Sequence, residues 1–292
     1  MYELTKINEN DYYIDSPSRA GLVKVSENEV VLIDACNDKN AGKKIKKAID
    51  TNGWTLKAIF VTHSHADHIG GLKYLVSETG CKVYAKGIER DFTEHTELEG
   101  AFLFGGYAPI ELRSKFFLAD GVEAEALTKE ALPEGIEMIE LKGHSFDMVG
   151  FLTKDGTFYA ADSLSSKETL EKYGVGFIYS VKEYIETLDA LKKIEAKLFV
   201  PSHAPVTDDI SSLADYNKEV TLGICEKILD MCSEPICFEE ILKKIFDSYS
   251  LCLSIEQYAL VGSAVRSYLV YLRNENRIEA LIENNFLLWK KI

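Results

Sequence analysis

The sequence predicts an α/β fold, sheet layers covered by helices, followed by a small, mostly helical domain. Three observations carry this expectation. Four apolar runs, VVLIDA at 30–35, AIFVTHSH at 58–65, TFYAAD at 157–162 and LFVPSH at 198–203, each end in Asp or His. Segments of helical period alternate with extended runs through the first two thirds of the chain, as in sheets packed under helices. After His203 that alternation gives way to longer helical periods. The expected division is a catalytic domain over 1–211 and a helical one over 212–292.

The elements follow in order. Tyr12–Ile14, Gly21–Val25 and Glu29–Ile33 read as strands because short apolar runs are bounded by polar or Gly-containing turns. Asn40–Asp50 reads as a helix with Ala41, Ile45 and Ala48 on one side, and Leu56–Val61 as a buried strand. Ile69–Ser77 has helical spacing, with Gly70 and Gly71 letting that helix start close to the turn before it. Residues 90–125 are irregular, and Phe102, Phe104 and Tyr107 beside Gly105, Gly106 and Pro109 suit either a packed connection or a pocket wall. For Phe104, Tyr107, Tyr173 and Tyr179, packing is the plainer reading and pocket lining the sharper one. Val181–Ile194, Val220–Met231, Phe238–Ser248, Ser254–Asn274 and Arg277–Trp289 all carry helical periods. The stretch YLRNENRIEALIENNFLLW also reads as a helix followed by two extended pieces, the pattern of a small winged helix.

Composition narrows the function. The 292 residues include 47 Asp and Glu against 33 Lys and Arg, a formal charge of -14, with 46% apolar residues. That supports a stable core and disfavours coating nucleic acid or an anionic membrane through bulk charge. Residues 214–292 hold nine Lys or Arg and twelve Asp or Glu, a net of -3, which weakens a DNA-reading role for that segment. No stretch approaches the roughly 20 apolar residues of a membrane span, and no basic-then-apolar leader opens the chain, so a soluble, cytoplasmic protein is expected. The six cysteines form neither a dense disulfide framework nor a zinc-finger spacing and read as buried thiols.

Chemistry concentrates in Thr62-His63-Ser64-His65-Ala66-Asp67-His68-Ile69-Gly70-Gly71. Three imidazoles and a carboxylate within six positions are costly to bury unless something compensates their lone pairs and charge. A divalent metal does so, and nitrogen-rich ligation favours zinc, with iron or manganese as alternatives. His144 in LKGHS, His203 in VPSH and Asp162 in YAAD lie beside apolar runs and complete a set of five His and two Asp, while His95 stands apart in polar TEHTE. Such a set suffices for two metals about 3.5 to 4 Å apart.

With H-x-H-x-D-H complete at 63–68 and its partners in order to about residue 210, the chain resembles the metallo-beta-lactamase fold superfamily. The resemblance implies an αββα metallo-beta-lactamase sandwich and a hydrolase with a dinuclear centre and bridging hydroxide. It assigns His63, His65 and His144 to one metal, Asp67, His68 and His203 to the other, and Asp162 to a bridge. Asp67 would also orient the hydroxide, and Asp34 would support a ligand rather than bind metal. The oxygen-reducing diiron branch usually has Glu at position 65 and adds a flavin domain; neither feature occurs here. The last 80 residues resemble the winged-helix extension of the beta-lactamase-like protein 2 group, which is linked to single-strand RNA cleavage. A phosphodiester such as single-stranded RNA is therefore the first expected substrate. A thioester or other acyl ester of the hydroxyacylglutathione hydrolase type is the alternative, although no basic glutathione-binding cluster is visible. A metal-dependent binding or sensing module is the reading outside catalysis. A homodimer is compatible with the C-terminal domain.

Overall fold

The computed structural model describes residues 2–292. Short apolar stretches separated by polar turns fold into an antiparallel meander, β1 (Glu3–Lys6), β2 (Asp11–Asp15), β3 (Ala20–Lys24) and β4 (Glu29–Ile33). The chain then crosses through α1 (Lys39–Thr51) to β5 (Thr55–Phe60), through α2 (Ala66–Ile69) and α3 (Leu72–Thr79) to β6 (Lys82–Ala85), and through α4 (Gly87–Glu94) and α5 (Glu97–Phe104) to β7 (Glu125–Ala126). These strands form one sheet in sequence order, parallel from β4 onward. Asp38 starts α1 by accepting from the N–H groups of Asn40 and Ala41, both at 2.9 Å, and Ala41, Ile45 and Ile49 turn inward.

The single helix expected over 69–77 is two pieces. The break at Gly70–Gly71 comes from a close approach: a Cβ on Gly70 would lie 2.3 Å from the Asn37 carbonyl oxygen, and one on Gly71 2.3 Å from that of Ala35. The glycines press this segment against the loop that follows Asp34.

The second sheet has the order β11-β10-β9-β8, built from β8 (Ile136–Glu140), β9 (Val149–Thr153), β10 (Thr157–Ala161) and β11 (Leu198–Pro201), with α6 (Lys167–Tyr173) and α7 (Val181–Leu191) before β11. The β10–β11 pair is parallel. The two sheets pack face to face through Val31, Phe60, Phe151, Tyr159 and Val200, with the Phe60 and Phe151 rings 5.9 Å apart. Against the outer face of the first sheet, Ile45, Ile49, Leu72 and Leu75 bring in α1 and α3. The result is the four-layered αββα arrangement.

The other outer layer contains α7 and the C-terminal elements α8 (Ser211–Met231), β12 (Ile236–Cys237), α9 (Phe238–Ser248), α10 (Ile255–Asn274), β13 (Ile278–Glu283) and β14 (Phe286–Lys291). Leu141, Phe158 and Leu188 share one buried cluster with Ile228, Val265, Tyr268 and Trp289, so the apolar core runs without a break past residue 212. The helical period over Arg277–Trp289 does not form a helix. β13 and β14 make a hairpin around Asn284 and Asn285, whose φ angles of 51° and 65° suit a two-residue turn. Apolar residues at 278, 281 and 282 fit a helix as well as a strand, and the Asn pair decides between them. Among the described residues, no helix is long and apolar enough to cross a membrane. All six cysteines are free thiols, four of them buried.

Candidate metal centre

The strand ends converge as their shared pattern predicts. β4 leads to Asp34, β5 to His63, β10 to Asp162 and β11 to His203, while the β8–β9 connection delivers His144. Two of these ends leave the usual backbone region: Asp34 has φ 62°, and Ala161 has φ 49° at an irregularity in the β10–β11 register. Left-handed backbone at residues other than glycine costs roughly 1–2 kcal/mol each, a strain the surrounding sheets sustain.

All seven predicted ligands come together, in two groups. The donor atoms of His63, His65, His144 and Asp162 lie within 4.8 Å of one another, and so do those of Asp67, His68 and His203. His65 Nδ1 is 3.0 Å from His63 Nε2 and 3.1 Å from His144 Nε2. Asp162 joins the groups: its Oδ2 is 3.5 Å from His144 Nε2 and 3.2 Å from His203 Nε2, and its Oδ1 is 3.1 Å from His68 Nε2. His95 is exposed and outside the cluster.

Outward hydrogen bonds orient the rings. His68 Nδ1 lies 2.8 Å from Asp34 Oδ2, His203 Nδ1 donates to the Pro17 carbonyl at 2.9 Å, and His63 Nδ1 is 3.0 Å from Thr62 Oγ1. Asp34 also accepts from the Thr62 N–H and hydroxyl, both at 2.8 Å, so one carboxylate braces the His-rich turn and the His68 ring. Each ring nitrogen opposite such a bond faces the cluster.

Burial holds His63 well below the ordinary imidazole range and lowers His65 to about 4 and His144 to about 3. These rings are neutral, the form that binds a cation. His68 and His203 go the other way. Burial alone would lower both, but Asp162 and Asp67 outweigh it, holding His68 well above its usual value and His203 at about 10. Burial would raise both carboxyls, yet His68 and His203 keep Asp67 and Asp162 low.

The donor set fits a cation. His68 Nε2 and Asp162 Oδ1 are sealed from solvent and make no hydrogen bond of acceptable geometry, although each faces the other. Buried polar atoms without partners are rare and costly, and a divalent ion would satisfy both.

Several residues at the site gave no sequence signal. Ser18, in the β2–β3 turn, sits 2.9 Å from the Asp67 carbonyl and 3.0 Å from its Oδ2. Glu89 joins the turns that carry His63, His65 and His144. Glu99, on α5, is buried with its Oε1 3.7 Å from His65 Nε2, and burial, with Glu89 nearby, pushes its carboxyl up to about 8. Phe177 sets its edge against His65 and His144, with centroids 5.4 and 5.9 Å away.

A cavity of about 760 Å³ opens beside His203. Ser16, Pro17, Ser165, Ser166, Leu170, Tyr173 and Phe177 line it, together with Gln257, Leu260 and Val261 from α10. Of the aromatics considered for a pocket, Tyr173 alone lines this cavity; Phe104 and Tyr107 are exposed, and Tyr179 packs on Phe146 at 4.3 Å. The 90–125 region instead packs α5 on α10 through Leu103, Ala108, Leu112 and Ala259.

Known proteins resemble this chain in sequence and in fold. The chain is 27% identical over 195 residues to the Bacillus subtilis (strain 168) protein named "Probable metallo-hydrolase YqgX", covering 63% of this chain and 84% of that one. It is 34% identical over 124 residues to a hydroxyacylglutathione hydrolase from Rhodopseudomonas palustris (strain BisB18), covering 42% of this chain and 39% of that protein's length. A beta-lactamase domain protein from Burkholderia ambifaria superposes with TM-score 0.78 at 15% identity, covering 99% of this chain and 94% of the other. A metallo-beta-lactamase family protein from Thermus thermophilus superposes with TM-score 0.71 at 16% identity, covering 97% of this chain and 99% of the other. At those identities the likeness concerns the fold alone, and it includes the C-terminal elements. The sequence model of the metallo-beta-lactamase superfamily matches residues 14–203, from the second strand to the last candidate ligand, and the chain belongs to that superfamily.

Proposed function

We propose that this superfamily hydrolase binds two divalent cations, zinc in the first instance with iron or manganese as alternatives. His63, His65 and His144 would hold one cation, Asp67, His68 and His203 the other, and Asp162 would reach both. The observation that carries this reading is the grouping of seven donor atoms around His68 Nε2 and Asp162 Oδ1, which are sealed from solvent and make no hydrogen bond of acceptable geometry. When bound, such a pair lowers the pKa of a water and polarises the substrate oxygen. The chain's own residues do the rest. Asp67, held by Ser18, orients the attacking water. Asp34 fixes the His68 ring, Pro17 fixes the His203 ring, and Phe177 keeps bulk water off the imidazoles.

For the substrate, the cavity favours an uncharged acyl ester or thioester over a phosphodiester. Its lining mixes hydroxyls with apolar surface, and Arg19 is its one lysine or arginine among the described residues. That guanidinium is already engaged with the Pro201 and Ala204 carbonyls and with Asp15, so it is not offered to a phosphate. Much of α10 is buried, through Val261, Val265, Tyr268 and Leu269 on the core and Ala259 on α5. That leaves little of it to enter a nucleic-acid groove.

Single-stranded RNA remains the second reading. One observation supports it: the order α8-β12-α9-α10-β13-β14, with a three-stranded sheet, is compatible with the winged helix expected over 212–292. Matched initial rates on an acyl thioester and a short single-stranded RNA, with zinc-loaded and manganese-loaded protein and an Asp67→Ala control, separate the two. Control-sensitive thioester turnover without RNA cleavage is expected. RNA turnover lost in the control would reverse the order, and full cation loading without turnover of either would return the chain to a binding role.

A further inference from the structure

Two turns carry the three imidazoles of the first group, Thr62–His65 after β5 and Gly143–Ser145 after β8, and neither turn has a regular backbone ladder to hold it. A single buried acid ties them together. Glu89, in the first turn of α4, is 0% exposed. Its Oε2 accepts from the Ser64 N–H at 2.9 Å and the Ser64 hydroxyl at 2.7 Å. Its Oε1 accepts from the Ser145 hydroxyl at 2.5 Å and the Asp147 N–H at 3.0 Å. Ser64 stands between His63 and His65, and Ser145 follows His144, so each carboxylate oxygen holds one ligand-bearing turn.

The helix that carries Glu89 is locked against the second turn. Asp147 Oδ2 accepts from the Ile88 N–H at 3.1 Å, while the Asp147 N–H donates back to Glu89. Gly87 permits this contact: its φ is 51°, and a Cβ there would lie 2.2 Å from Asp147 Oδ2. All four partners of Glu89 are donors, which suits an acceptor-only carboxylate and no other side chain of that size. An apolar residue would fill the same space without the cost of burying charge, so the acid adds a cross-link rather than packing.

We infer that Glu89 is a positioning residue that sets the distance between the two turns, and with it the grip of His63, His65 and His144 on their cation. The inference rests on the two-cation reading above. Glu89 touches no ligand ring and acts only through the two serines and Asp147.

The test is cation affinity. Chelator-stripped protein is titrated with zinc against a chromophoric competitor in two backgrounds, His203→Ala to report the first trio and His63→Ala to report the second. Thermal melts of the stripped proteins accompany each titration. Glu89→Gln, which sets an amide donor against donors, is expected to weaken the first trio about 10–100-fold and to change the second by less than about threefold. Ser145→Ala removes one of the four bonds and keeps the fold if Glu89→Gln does not; it should shift the first trio in the same direction by a smaller factor. Unchanged first-trio affinity in these variants overturns the inference, as does equal weakening of both trios in step with a lower melting temperature. The His203→Ala protein with Glu89 intact separates the two readings: if it takes up no zinc, the metal-centre reading falls, whereas uptake that ignores Glu89 defeats only the positioning role.

Discussion

His63, His65 and His144 expose 0%, 17% and 14% of their side chains, whereas Asp67 and His203, in the other trio, expose 40% and 30%. The first trio is the more enclosed of the two, although His68 of the second is also fully buried; the rings of the first are neutral, and Glu89 ties its two turns. The second borders the large cavity and already balances charge internally, with imidazolium groups facing Asp67 and Asp162. Two neighbouring sets of candidate ligands are thus prepared differently, one as neutral rings open to a cation and the other as ion pairs that a bound cation would displace. The open trio faces the side from which a substrate can arrive.

The largest expected effect removes the link between them. Asp162→Ala should lower kcat/KM about 1,000-fold or more and reduce the bound metal from two ions toward one, measured by initial rates and elemental analysis. Loss of rate with two ions still bound would show that Asp162 does not hold the pair together. Asp34→Asn acts on one side only. It should weaken the second cation about 10–100-fold and leave the first nearly unchanged in a competitive zinc titration. Equal weakening of both would remove the distinction.

A pH comparison sharpens the contrast. His68 and His203 are held above their ordinary value, so they carry protons at pH 7 that a cation must expel, while His63, His65 and His144 carry none. Zinc uptake by the second trio should release about two protons and tighten as pH rises, against about none for the first. Calorimetry in buffers of different ionisation enthalpy measures the count; equal release at both trios would contradict the assignment.

The smallest effect concerns Glu99 beside His65. Its carboxyl titrates at about 8 instead of its ordinary 4.5, so the unfolded chain ionises first and native stability falls as pH rises from 4.5 toward 8. Glu99→Gln should raise the melting temperature of the metal-free protein at pH 8 by about 2–4 °C and by less at pH 5. A gain of the same size at both values would show that ionisation is not its source.

The candidate metal ligands are legible in the sequence because their chemistry is local. His63, His65, Asp67 and His68 crowd one turn, and Asp162 and His203 each terminate an apolar run. Ser18 and Glu89 are illegible there for the opposite reason. Ser18 meets Asp67 49 positions away, and Glu89 meets Ser64 and Ser145 at separations of 25 and 56, so their roles exist only in the folded chain. The helical period that begins at Val220 misses the first turns of α8, which starts at Ser211. Asn217 is buried inside that helix, bonding both the N–H and the carbonyl of Ser165, and a polar residue on the inner face hides the period. The hairpin at β13–β14 is visible as one of two readings, since its apolar spacing fits either.

The unbroken apolar cluster that runs from Phe158 and Leu188 through α8 and α10 to Trp289 bears on how the chain is made. During synthesis every candidate ligand through His203 leaves the ribosome before α8, α9 and α10, which complete the cover that α7 begins over the second sheet. A nascent chain that has emerged only to about residue 210 would carry the whole candidate ligand set on a sheet whose greasy outer face α7 covers only in part. Such an intermediate is prone to stick to its neighbours or to enlist a chaperone, and its maturation waits on the arrival of the C-terminal elements.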